Sequence, residues 1–348
     1  MKPGSAGAGK LLWAGLLRLL IVMAAALPFS QPSLAGTTEE PEPVRALHLV
    51  LRAVSVADAK ARIDLAASAG YNVLVLALAD GVAFEHFPGR VRDDAWTVSE
   101  LLGVVEYARQ RGLSVVPEIK FLTHQEKFFQ DTHPELMFNT LTPDPRLEAV
   151  QTLQRAYLDE VIGALQPRAV HIGHDELAGA SKRTAAELRK QGHASLPADL
   201  FVHSVLSLHR ELSARGLEVW MWGDMLAAPE EFPEMAKPYF HGSLPGYGKS
   251  LRDRLPRDIV ICDWRYVDEQ TEFPTVTVLR QEGFRVLGAT WKRAETTRNF
   301  AAYAAAHGAQ GMIATTWFHV QRKEWEVVDQ IIRESGAAFL ANFPDQTN

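Results

Sequence analysis

The chain has 348 residues, 47% of them hydrophobic, a formal net charge of −6 and one cysteine, Cys262. This composition supplies an ample core, and the acidic balance, with no basic cluster against it, argues against a nucleic-acid or anionic-membrane surface. A lone cysteine excludes an intrachain disulfide, and Cys262 sits in an apolar run that reads as a buried thiol, not a nucleophile.

Residues 1–35 have the layout of a secretory signal peptide. Lys2, Lys10 and Arg18 are basic, 19–27 are uncharged and apolar, and Ser33-Leu34-Ala35 forms a small-x-small cleavage site before Gly36. An uncleaved anchor is the alternative, but the apolar stretch falls short of the ~20 residues that cross a bilayer. The expectation is export, periplasmic or extracellular, with no membrane span in the mature chain. Residues 36–44, rich in Glu and Pro, read as a solvated linker to one domain over 45–348.

From there short apolar β-type runs alternate with longer amphipathic stretches. Strands are expected at 46–52, 72–78, 114–119, 169–172, 217–222, 258–263, 285–289 and 311–316. Helical patterns lie between them, at 56–69, 98–111, 146–165, 198–215 and 297–307. Gly70, Gly112, Gly216, Gly283 and Gly308 stand shortly before the next strand, where a left-handed cap suits glycine. Continuous apolar strands in such a series describe a parallel sheet covered on both faces. The length fits closure into an α/β (β/α)8 TIM barrel. An open doubly wound sheet is the other arrangement, but no Gly-rich phosphate loop follows the first strand.

In a parallel barrel the strand carboxyl ends share one mouth. Collected there are Arg52, Asp80, Glu118, His124, Asp175, Glu176, Trp222, Asp224, Asp263, Trp264, Tyr266, Trp291, Trp317 and His319. The most informative stretch is Ala-Val-His-Ile-Gly-His-Asp-Glu, 169–176, an apolar run that stops at a glycine and delivers two adjacent acids. Cleavage of a glycosidic bond asks for such a pair: one group protonates the leaving oxygen while another handles positive charge at the sugar. Taken alone, an Asp-Glu pair also suits the start of a helix. Four tryptophans at the ends of strands five to eight tip the balance, because flat apolar faces pack against the C–H face of a pyranose.

With these residues assembled, the chain resembles glycoside hydrolase family 20, the β-N-acetylhexosaminidases. The family's His-x-Gly-Gly-Asp-Glu appears as His171-Ile-Gly-His-Asp-Glu176. Pro117-Glu118-Ile119 followed by His124, Leu141-Thr142-Pro143, Tyr157-Leu158-Asp159-Glu160, and Trp222, Trp264 and Trp317 occur in the family's order. The resemblance implies a retaining, substrate-assisted mechanism, an exception to the two-carboxylate scheme. The substrate's acetamido oxygen attacks the anomeric carbon to give an oxazolinium ion. Glu176 would be the general acid and then the base, with a raised pKa. Asp175 would accept the acetamido N–H. Asp80 and His124 would form a relay that tunes Glu176. Arg52 would bind sugar hydroxyls, and Trp222, Asp224, Trp264, Tyr266, Trp291 and Trp317 would complete the substrate pocket.

Three positions depart from the family pattern. His174 replaces the second glycine and is expected to put a ring beside the acids. Strand seven ends without the tyrosine that holds the acetamido oxygen, so Tyr266 or Tyr247 would substitute. His319 stands in place of a hydroxyl-binding glutamate. The expected partner is a carbohydrate, with no cofactor and no metal. The sequence leaves the oligomeric state and the gluco or galacto preference open. Other readings are a non-catalytic sugar-binding barrel, an exo-glycosidase of other specificity, and a metal-dependent hydrolase using His171 and His174. The last conflicts with strand geometry, which sends residues three apart to opposite faces.

Overall fold

The apolar runs become eight strands: β1 (Val44–Val50), β2 (Val73–Ala77), β3 (Ser114–Glu118), β4 (Ala169–His171), β5 (Glu218–Trp222), β6 (Val260–Trp264), β7 (Arg285–Thr290) and β8 (Gly311–Thr315). They form a closed parallel barrel in which each strand neighbours its predecessor and β8 pairs back onto β1. This is a computed structural model that describes residues 42–125, 128–177, 182–235, 241–242, 244, 246–267 and 269–345. The expected leader, 1–35, and most of the linker, 36–41, lie outside the described residues.

Helices cover the outside: α1 (Val56–Ser68), α2 (Val98–Arg109), α3 (Glu148–Leu165), α4 (Lys182–Lys190), α5 (Ala198–Ser213), α6 (Tyr247–Arg252), α7 (Pro274–Gln281), α8 (Ala294–Ala306) and α9 (Trp325–Asn342). Local chemistry sets their starts. The Ser55 hydroxyl accepts the Asp58 N–H at α1, and Thr97 with Glu100 makes a reciprocal capping box at α2. Across the closure of the ring, Arg62 on α1 grips both oxygens of Asp329 on α9 at 2.9 and 3.2 Å, and its guanidinium lies over Trp325. An antiparallel ribbon, Met137–Asn139 with Thr142–Pro143, was not foreseen.

Strand ends shift by a residue or two from the expectation, for identifiable reasons. β1 starts at Val44 because its N–H already bonds Gln310 O at 2.8 Å. β4 stops at His171 because the chain turns immediately beyond it. The barrel interior is filled by Ala46, Val75, Val116, Trp220, Trp222, Val260, Leu287 and Ile313, and Cys262 lies among them. Burial pushes the Cys262 thiol well above its ordinary pKa, which leaves it inert.

The β1–β8 seam depends on Gly311, which holds φ +151° and whose added Cβ would sit 1.9 Å from Val44 O. Gly311→Ala should therefore cost ~1–3 kcal/mol of backbone strain plus the displaced seam. A thermal melt reads this directly; an unchanged midpoint would mean that the seam yields freely.

Candidate active site

The acids reach the mouth through a sharp reversal after β4. Gly173 has φ +72°, and His174 and Glu176 also take left-handed values, 67° and 49°. Six of the eight described non-glycine residues with positive φ lie just beyond barrel strands: Ala53, Ala79, His124, His174, Glu176 and Trp317. Backbone of this kind persists only where surroundings over-determine it. Here the Glu176 N–H donates to Asp224 Oδ2 at 2.8 Å and the Leu177 N–H points at Met225 Sδ.

The reversal also disposes of His174, contrary to the expected bulky ring beside the acids. Its imidazole is fully buried, edge-on to Phe201, with Nδ1 2.9 Å from Ile172 O and Nε2 3.1 Å from Ser204 Oγ. Burial drives its pKa down to about 4. His171 points into the barrel, accepts the Gly173 N–H at Nδ1, packs on Trp222 and is lowered to about 4 by the same cause. Among the described residues no group of three or more His, Cys, Asp or Glu is arranged to hold a metal.

Asp175 is buried to 6% exposure and closely held. Lys120 Nζ donates to both its oxygens at 2.9 Å, and His124 Nε2 lies 3.1 Å from Oδ2. Burial alone would raise its pKa; the Lys120 and His124 charges win and hold it well below the carboxylate range. Lys120 itself stays charged despite burial, because Asp175 and, 3.6 Å away, Glu118 face it. Glu176 is half exposed. Its pKa is raised by partial burial and by the Asp175 and Asp224 charges, against His241 and His124. Neighbouring carboxyls thus have pKa values driven in opposite directions, the pattern that separates acid from anion.

Around them lies a cavity of about 510 Å³ whose lining includes Arg52, Lys120, His124, Asp175, Glu176, Trp264, Tyr266, Trp291 and Trp317, together with Phe128, Phe318 and Gln321. Trp264 and Tyr266 stack at 4.8 Å, and Trp317 Nε1–H donates to the Tyr266 hydroxyl at 2.8 Å. Tyr247 is elsewhere, its hydroxyl turned to Leu196 O. His319 is buried against Glu324 rather than turned into the cavity.

Three expected placements need correction. Trp222 is fully buried beneath the cavity, donating Nε1–H to Glu118 Oε1 at 2.9 Å, so it is a floor support and not a wall. Asp224 is also below the surface, accepting from the Glu176 N–H and from Trp264 Nε1 at 3.2 Å. The Asp80–His124 pair is not formed: Asp80 takes the Arg52 Nε–H, while His124 turns to Asp175. Arg52 thus enters the mouth with one donor already committed. The sequence reading missed Lys120, though it lies two residues beyond Glu118 and alternation puts both on one face. It also missed His241, which comes from a loop with no periodic signal.

A closed parallel barrel with an acid pair at its carboxyl end, inside an aromatic cleft, defines a protein of the glycoside-hydrolase class. The sequence matches the glycosyl hydrolase family 20 catalytic domain over residues 53–331, and the chain belongs to that family. Solved structures of similar fold include a chitobiase from Flavobacterium johnsoniae (16% identity, TM-score 0.59, 86% of this chain and 50% of that one). A β-N-acetylhexosaminidase from Bacteroides fragilis is similar at 17% identity and TM-score 0.59, over 86% of this chain and 66% of that one. Dispersin B matches at 16% identity and TM-score 0.57, over 87% and 99%. The chain spans about half the length of the chitobiase it matches. No curated protein is significantly similar in sequence.

Proposed function

We propose that the protein is an exo-acting β-N-acetylhexosaminidase that works by substrate-assisted retention. The observation that carries this is the split acid pair: Glu176 with a raised pKa at the cavity surface, beside Asp175 held as an anion. Glu176 gives its proton to the glycosidic oxygen as the C1–O bond breaks and its electron pair goes to that oxygen. The substrate's acetamido carbonyl oxygen closes on C1, and the positive charge that builds on the amide faces the Asp175 carboxylate. Glu176, now a carboxylate, takes a proton from water as the water oxygen attacks C1 and the C1–O bond to the acetamido oxygen breaks, its electron pair returning to the amide. Tyr266 is the tyrosine suited to the acetamido oxygen, since it lines the cavity, whereas the Tyr247 hydroxyl turns to Leu196 O. Trp264, Trp291 and Trp317 supply the apolar faces for the pyranose, and Arg52 the donors for its hydroxyls. The reaction as written needs no cofactor, and the leader in 1–35 would deliver the enzyme outside the cytoplasm.

One observation favours a second reading, an exo-glycosidase of other specificity. Asp175 already has Lys120 on both oxygens, so it can remain a buried anion without any substrate amide. Hydrolysis of a chromogenic N-acetyl-β-glucosaminide and of the plain β-glucoside separates the two. Our reading expects kcat/KM for the acetamido substrate to exceed that for the glucoside by at least ~10²-fold, the scale of a well-placed catalytic group. Equal rates would select the second reading.

A further inference from the structure

The acid Glu176 has a second imidazole against it. His124 Nε2 lies 3.7 Å from Oε2, and on the other side His241 Nε2 lies 3.8 Å from Oε1. These two histidines are not equivalent. His124 is committed to Asp175, 3.1 Å away and already neutralised by Lys120. His241 has Nδ1 3.0 Å from Asp224 Oδ2, so its two ring nitrogens face two different carboxylates. Asp224 Oδ2 also accepts the Glu176 backbone N–H, and Asp224 Oδ1 the Trp264 indole N–H, so two hydrogen bonds fix it beside the His241 ring. Trp264, 5.8 Å away between ring centroids, backs the His241 ring.

We propose that His241 is a positioning residue for the acid: anchored on Asp224, its imidazolium faces Glu176 and stabilises the carboxylate formed whenever the acid gives up its proton. The Asp–His–Glu arrangement expected through Asp80 and His124 is built instead through Asp224 and His241. Every charged group facing the pair fits this assignment. Asp224, Glu176 and Asp175 all favour a charged His241, against its burial. Around Glu176, Asp175 and Asp224 oppose ionisation, while His241, His124 and Lys120 favour it. Removing His241 subtracts one favouring charge and leaves both opposing ones, so the Glu176 pKa must rise.

The inference uses the reading of Glu176 as the acid, yet its test does not depend on turnover. The Glu176 carboxyl is followed by ¹³C NMR against pH in the free protein, the signal being assigned by its loss in Glu176→Gln. His241→Phe and His241→Gln should both raise that titration by about one pH unit, since neither carries the charge. Gln keeps a donor and a similar size, and serves where Phe disturbs folding, which a melting curve reports. On a chromogenic N-acetyl-β-glucosaminide, both variants should move the basic limb of kcat/KM upward and lower kcat roughly tenfold with little change in KM. A Glu176 titration that stays put, or falls, in both variants overturns the inference. A raised KM at unchanged kcat overturns it too, because His241 would then be a sugar contact. Wild-type protein without hydrolase activity would defeat the proposed function and leave the NMR titration to decide this one.

Discussion

Glu176→Gln should lower kcat on an N-acetyl-β-hexosaminide by at least ~10²-fold, the ordinary scale for a lost general acid. Glutamine fills the same space and keeps a donor, but it cannot surrender a proton to a leaving oxygen. The pH profile gives an independent reading. Because the Glu176 pKa is raised, the acid form persists above the ordinary carboxyl range, and its loss sets the basic limb of kcat/KM. That limb should vanish from whatever activity the variant retains. The stability sign is opposite to that of most carboxyls. A group whose folded pKa lies above its unfolded value loses stability as pH climbs from the unfolded pKa to the folded one. Above that window, ionised Glu176 faces Asp175 and Asp224 at a net cost, so the variant should melt no lower than wild type at neutral pH. Full activity in the variant would remove Glu176 from the acid role, and with it the proposed mechanism.

The barrel was legible because its strands are buried on both faces and punctuated by glycines at helix ends; Val73–Ala77 is apolar throughout and Gly311–Thr315 apolar save its ends. The acid pair was legible for a related reason, since Gly173 before Asp175 signals a reversal that lets neighbours share one cavity. Depth along the barrel axis was not. Trp222 and Trp264 both end strands, yet one is sealed under the cavity by its bond to Glu118 and the other forms a wall. Nor can sequence choose among ion-pair partners. Asp80 has Arg52 and His124 within the same mouth, and loop geometry decides for Arg52. His174 shows the limit most plainly. A substitution that looks obstructive in the motif is harmless because a positive φ turns its ring back toward Phe201 and Ser204.

Lys120→Met is the other variant with a large expected effect, and its consequence begins in stability. Lys120 holds Asp175 with two bonds of 2.9 Å and stands 3.6 Å from the fully buried Glu118. Removing one partner of a buried ion pair costs about 3–5 kcal/mol, because the remaining charge keeps its desolvation penalty. At roughly 2–4 °C per kcal/mol for a chain of this general size, the melting point should fall by about 6–20 °C. The pH dependence follows from the sign of the Asp175 shift. Its depressed pKa contributes stability that is present above the unfolded carboxyl value and lost as pH falls through the folded one. Without Lys120 the Asp175 pKa must rise, so the gap between wild type and variant should widen from acid to neutral pH. Activity on the acetamido substrate should fall at the same time, most steeply toward acid pH, where the raised Asp175 pKa leaves a larger share of the carboxyl protonated and unable to offset charge on the amide. Adding Asp175→Asn to the lysine variant removes the orphaned charge and should recover much of the lost stability, without recovering activity. Contacting residues are expected to be non-additive in this way. Simple additivity of the two substitutions, or a gap that does not change with pH, would show that the ammonium is not what keeps Asp175 ionised.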